Sequence, residues 1–85
     1  MEISLEISLY PLQDKYEDTI LDFIRQLNQN KKIIVETNGM STQVFGEYDE
    51  VIGTVQTEMK KVYEKTQAIL VMKMGRGQLR VENKT

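Results

Sequence analysis

The chain opens on strict alternation. Ile3, Leu5, Ile7 and Leu9 share one parity, while Glu2, Ser4, Glu6, Ser8 and Tyr10 share the other. Period two with one parity polar predicts a β-strand buried on a single face. Pro11 ends it, because proline cannot donate to a sheet ladder. A helical period follows. Tyr16, Ile20, Phe23, Ile24 and Leu27 recur at i, i+4, i+7, i+8 and i+11, an apolar stripe that leaves Asp18, Asp22, Arg25 and Gln26 for water. Asp14, with Glu17 three residues on, reads as the capping pair that opens this helix. Asn28-Gln29-Asn30 close it, and Lys31-Lys32 lie near its negative dipole end.

Ile33 to Val35 begins a second strand, and Asn38-Gly39 is a strong signal for a two-residue hairpin turn. Such a turn sets Thr37 against Met40, Val35 against Thr42 and Ile33 against Val44. It groups Ile33, Val35, Met40 and Val44 on a core face and leaves Ile34, Glu36, Ser41, Gln43 and Phe45 on the other. From Tyr48 the helical period returns, with Ile52, Val55, Met59 and Val62 as its stripe. Asp49 and Glu50 sit in its first turn, and Lys60, Lys61 and Lys65 lie near its end. Gly53 within this helix costs about 1 kcal/mol relative to alanine, which predicts close packing against a neighbour there. Ala68 to Met74 forms a last apolar strand closed by Gly75-Arg76-Gly77. The tail Gln78 to Glu82 alternates weakly and is read as an added edge strand.

The order βαββαβ, with a hairpin and right-handed crossovers, predicts an α+β ferredoxin-like fold. Its four-stranded antiparallel sheet carries both helices on one face, and residues 1–85 form a single domain. At this length only roughly 60% of the unfolded surface is hidden on folding, so the stability margin is thin. The chain has no cysteine, histidine or tryptophan, which excludes disulfides, His/Cys metal sites and Ser-His-Asp or Cys-His nucleophilic machinery. Eleven basic and thirteen acidic side chains give a net charge of −2, a poor match for a phosphate backbone. No nucleic-acid partner is therefore expected. No apolar run approaches the roughly 18 residues of a membrane span and no leader peptide is read at the start. A cytoplasmic protein with no membrane partner is the expectation.

With helices on one face only, the opposite face decides function. By this register it carries Glu6, Ser8 and Tyr10 from the first strand and Ile34, Glu36, Ser41, Gln43 and Phe45 from the hairpin. The last strand, Ile69 to Met74, is apolar at both parities apart from Lys73, unlike a strand with one face in water. A second copy of the chain is the expected cover. Carboxylates, hydroxyls, an amide and aromatics together form a small-molecule surface suited to a cationic heteroaromatic ligand: a glutamate for counter-charge and Tyr10 or Phe45 for a π face. Plainer readings stand beside these. The glutamates also suit the wet side of a strand, Tyr10 the edge of a core, Asn38-Gly39 a turn and Lys73 a guard against edge pairing.

The stretch Thr37-Asn38-Gly39-Met40-Ser41-Thr42-Gln43-Val44-Phe45-Gly46-Glu47-Tyr48-Asp49 is too particular for a generic hairpin. It resembles the hairpin and helix start of the YkoF-type thiamine/hydroxymethylpyrimidine-binding domains, a ferredoxin-like family. Ile7-Ser8-Leu9-Tyr10-Pro11-Leu12 and Val71-Met72-Lys73-Met74 are similar to the same family. The resemblance implies binding of thiamine or its pyrimidine precursor without catalysis, by domains that pair through their sheets, so that a second copy supplies the other half. Carried over by position, the ligand residues are Ser8, Tyr10, Thr37, Asn38, Ser41 and Thr42. Glu6 and Glu36 are added on physical grounds, because a thiazolium or protonated aminopyrimidine wants a carboxylate. No catalytic residue, metal or resident cofactor is expected. The favoured reading is a dimeric or tetrameric binder of thiamine or a related hydroxymethylpyrimidine, with the ligand in a cleft lined by the open sheet face; the alternative is an oligomeric regulatory or scaffold domain with no small ligand. Enzyme activity fits poorly, since no nucleophile or electrophile accompanies Glu6 and Glu36.

Overall fold

The computed structural model describes residues 1–81. Its elements are β1 (Glu2–Pro11), α1 (Tyr16–Leu27), β2 (Ile34–Thr37), β3 (Thr42–Glu47), α2 (Tyr48–Lys65) and β4 (Ala68–Arg76), in the expected order. The strands form one antiparallel sheet in the order β2-β3-β1-β4. This is the ferredoxin-like arrangement. No helix among the described residues is long and apolar enough to cross a membrane.

Alternation along β1 does what period two requires. Ile3, Leu5, Ile7 and Leu9 point into a core with Phe23 and Leu27 of α1, Val51, Val55, Met59 and Val62 of α2, and Val44 of β3. The buried stripe of α2 therefore runs through Val51, with Ile52 only partly buried. Both helices pack over β1, and α2 also packs over β3. Met72 and Met74 share the parity of Leu70 on β4 but remain half-exposed, because they lie beyond the main helix cover.

Several local expectations are corrected. Asp14 does not cap α1; Lys15 holds that position and no side chain bonds to the helix start. The Gln13 amide donates instead to the Lys15 carbonyl and Thr19 Oγ1, holding this corner from the other side. At α2 the carboxylate of Glu47 does the capping, accepting from the N–H groups of Asp49 and Glu50 at 2.9 and 3.2 Å. Gly53 faces open space, with nothing near where a Cβ would stand, so no close packing demands it.

The hairpin pairs Thr37 with Thr42 and Val35 with Val44, so four residues, Asn38–Ser41, connect its strands, with the Asn38 N–H donating to the Ser41 carbonyl at 3.0 Å and Gly39 and Met40 at the tip. Gly39 does not adopt positive φ, as a type I′ turn would require. The Asn38 side chain builds the loop instead, its Oδ1 accepting from the N–H groups of Met40 and Ser41 at 2.7 and 2.9 Å. A shift of two residues keeps every strand residue on its expected face. Met40, now in the loop, leaves the core for solvent. The tail does not form an edge strand over Gln78–Val81, and Glu82 lies outside the described residues.

Candidate functional site

β1 is paired unequally on its two sides. Against β4 the ladder runs from Ile3↔Arg76 to Pro11↔Ala68, whereas against β3 it stops at Ile7↔Thr42. Beyond that point β1 continues alone on the β3 side, and the hairpin loop, α1 and this open stretch enclose a cleft of about 490 Å³. Its walls include Ser8, Tyr10, Thr37, Asn38, Ser41 and Thr42. Six of the eight residues read as ligand-binding are thus brought together, with Tyr16, Ile20 and Met40 adding apolar wall, but at the edge of the sheet toward α1 and not on the expected open face.

The other two are glutamates on the open sheet face. Glu6 borders the cleft residues: its carboxylate accepts from Ser41 Oγ at 3.1 Å and pairs with Lys73 Nζ at 3.2 Å. The Lys73 ammonium first, and the Ser41 hydroxyl after it, hold the Glu6 carboxyl below its ordinary value of 4.5. Glu36 stands apart. It belongs to a row in register across the sheet, Glu36–Gln43–Glu6–Lys73, and its carboxylate accepts from Arg80 Nη2 at 2.9 Å. That guanidinium lowers the Glu36 pKa as well. Both glutamates therefore already have a cation, Glu6 in Lys73 and Glu36 in Arg80.

Arg80 reaches β2 because the segment after β4 crosses the open face, a feature the sequence reading missed. Gly77, at φ +94°, turns the chain. Its N–H donates to the Glu2 carbonyl at 2.7 Å. Ser4 then fastens the segment twice, its Oγ donating to the Gly77 carbonyl at 2.7 Å and accepting from the Leu79 N–H at 2.8 Å. Leu79 lies against Gly75, where a Cβ would stand 2.9 Å from its Cδ1. Leu79, Phe45, Gln43, Glu6 and Lys73 line a second hollow of about 330 Å³. Phe45 is only 2% exposed, although it lies on the open face and outside the inner core. Gly75 and Gly77 were the available signal: two glycines two residues apart after an apolar strand mark a turn as readily as an end.

The hydroxyls of Thr37 and Thr42 lie 3.1 Å apart across the last hairpin pair, and Ser8 Oγ donates to the Met40 carbonyl at a long 3.5 Å. The cleft thus combines hydroxyls and an amide, groups able to donate to or accept from polar ligand atoms, with aromatic and aliphatic walls and an ionised carboxylate beside it. Among the described residues no group of acidic side chains is placed to hold a metal ion.

Fold and site together define a small ferredoxin-like domain with a polar-rimmed cleft where its sheet runs out. The chain belongs to the YkoF-related family, whose model matches residues 2–75. No curated protein matches it in sequence. Among solved structures it is similar to a Thermotoga maritima protein provisionally assigned to thiamine biosynthesis or salvage, with TM-score 0.79, 15% identity and coverage of 91% of this chain and 85% of that one. It is also similar to a hypothetical protein of Methanocaldococcus jannaschii, with TM-score 0.78, 19% identity and coverage of 98% and 88%. A Streptococcus pneumoniae protein gives TM-score 0.76, 16% identity and coverage of 93% and 90%. At these identities the likeness establishes the fold.

Proposed function

We propose that this chain binds thiamine or a related hydroxymethylpyrimidine, without catalysis, in the cleft between β1, α1 and the hairpin loop of a homo-oligomer. The observation that carries the reading is the gathering of Ser8, Tyr10, Thr37, Asn38, Ser41 and Thr42 around one cleft, with Glu6 tied to Ser41 beside it. Family membership and the thiamine-related assignment of the Thermotoga relative support the choice of ligand. Lys73 and Ser41 stabilise the charged form of Glu6 and weaken it as a proton acceptor, so a cationic ligand would share this carboxylate with Lys73, whose own side chain is largely exposed. Self-association is supported by β4, an edge strand that exposes Ile69 by 54% and Val71 by 52% on one face, and Met72 by 44% and Met74 by 52% on the other. Apolar side chains on both faces of an edge strand call for a cover.

Native mass spectrometry of the purified protein with and without thiamine tests both parts at once. The expected result is an even-numbered assembly that gains the mass of thiamine. A lone monomer with no adduct at about millimolar ligand, and an unmoved melting midpoint, would overturn the reading. The exposed β4 also favours a second reading, an oligomeric scaffold with no small ligand. Glu6→Gln and Ser41→Ala separate the two: loss of thiamine binding from an intact oligomer rejects the scaffold.

A further inference from the structure

We infer that the open edge of β1 at Leu9 reads the amino-nitrogen edge of a 4-aminopyrimidine, as a neighbouring strand would. The inference rests on the binding reading above and names what recognises the ring. Its basis is the direction of the β1 backbone. The Tyr48 N–H donates to the Met1 carbonyl, so odd positions of β1 turn their N–H and C=O toward β3. The Gly77 N–H donates to the Glu2 carbonyl, and the Leu12 N–H to the Gln67 carbonyl, so even positions turn theirs toward β4.

The next odd positions past Ile7 are Leu9 and Pro11, and among the described residues no strand lies opposite them. Register would bring Met40 against Leu9, but Met40 belongs to the loop that Asn38 has folded on itself, and no backbone bond of that loop reaches Leu9. Both Leu9 and Pro11 line the cleft. Leu9 is also the least covered of the inward β1 residues, at 9% against 2% for Ile3, Leu5 and Ile7. Pro11 fits the same logic, since its missing N–H falls on the open side and removes nothing from the ladder with β4.

A backbone N–H and C=O from one extended residue form an adjacent donor and acceptor pointing the same way, and they demand partners when water is displaced. A 4-aminopyrimidine offers the complement on one edge, a ring nitrogen that accepts and an exocyclic amine that donates. The ring then takes the place of the absent strand residue. The hydroxyls of Ser41 and Thr42, already bonded to Glu6 and Thr37, keep oxygen lone pairs that accept from the hydroxyl of its substituent, and the walls of Tyr16, Ile20 and Met40 meet its faces. The 4-oxo analogue reverses the order of donor and acceptor. It pairs with the same edge only by turning over, which carries its 5-substituent to the opposite side.

The experiment is a titration of the ¹⁵N-labelled full chain with thiamine, with 4-amino-5-hydroxymethyl-2-methylpyrimidine, and with the 4-oxo counterpart of each. Amide resonances and exchange rates are read throughout. In the free protein the Leu9 amide is expected to exchange much faster than those of Leu5 and Ile7. On titration it shifts and becomes protected with the amino compounds, and the oxo compounds bind at least ~10-fold more weakly. Slow Leu9 exchange without ligand overturns the inference at once. Binding that shifts Asn38 and Ser41 but not Leu9, or equal affinity for amino and oxo forms, overturns it and leaves the binding reading standing. If no resonance in the cleft moves with any of the four compounds, the binding reading falls and takes this inference with it.

Discussion

The two flanks of β1 differ only in where their neighbours stop. On the β4 side every position from Ile3 to Pro11 has a partner, and the chain is locked by ladder bonds along its length. On the β3 side pairing ends at Ile7, because the Asn38 side chain folds Met40 and Ser41 into a loop of their own. The cleft is the consequence. An extended strand with polar backbone on one free flank, roofed by a helix and rimmed by hydroxyls, is a binding surface produced by ending a sheet early. No inserted element is needed.

That contrast can be tested by weakening each flank in turn. The largest effect is expected in the fully paired stretch: Leu5→Ala empties a site in the closed core and should cost about 2–5 kcal/mol by urea denaturation. Thiamine affinity of the protein that remains folded should be unchanged, and a large loss of affinity would mean that the two regions are not separable. Asn38→Ala comes next. It deletes two loop hydrogen bonds and should cost about 1 kcal/mol, while lowering thiamine affinity by roughly tenfold in calorimetry as the cleft wall loosens. If stability falls and affinity does not, the loop is scaffolding only.

Smaller effects concern charge on the open face. The Glu6 carboxyl is held below 4.5 in the folded protein, so the unfolded chain takes up its proton first on acidification. Glu6 therefore contributes stability that is present above pH 4.5 and lost as pH falls through its lowered pKa. Replacing its strongest partner, Lys73→Met, should raise the Glu6 titration midpoint toward 4.5 and flatten that part of the stability–pH curve, both measurable by NMR and acid-unfolding series. The smallest change is expected from Arg80→Ala. It should leave the melting midpoint nearly unmoved, because the pair is solvent-exposed. Glu36 should nonetheless titrate closer to 4.5, the direct sign that the crossing segment holds it in solution.

The elements themselves were legible because each rests on a local period. Alternation from Ile3 to Leu9 has one face to bury, and the stripes ending in Leu27 and Val62 each have one side to bury; parity alone assigned Glu6, Ser8 and Tyr10 away from the core. Errors fell where a side chain outcompeted a local rule. Asn38-Gly39 promised a two-residue turn, but Asn38 Oδ1 satisfies two N–H groups at once and the tip falls on Gly39 and Met40 instead. Asp14 promised a cap but the helix begins after Lys15. Val51 took the place of Ile52 at the start of the α2 stripe, while Val55, Met59 and Val62 are buried as read; which of two adjacent positions is covered depends on how α2 packs on the sheet.

Amino-acid pattern alone determined the strand and helix order, the ferredoxin-like class, the polar character of the uncovered face and the residues bordering the hairpin. These follow from periodicity, which is a property of neighbours along the chain. Tertiary structure decided that Ser8, Tyr10, Asn38 and Thr42 share one cleft, that Glu36 is met by Arg80 from far down the chain, and that Leu9 turns its backbone toward an empty flank. Each depends on where two strands stop facing one another. That end point is set by competition between ladder bonds and a side-chain hydrogen bond, and it is settled only when the whole sheet is assembled.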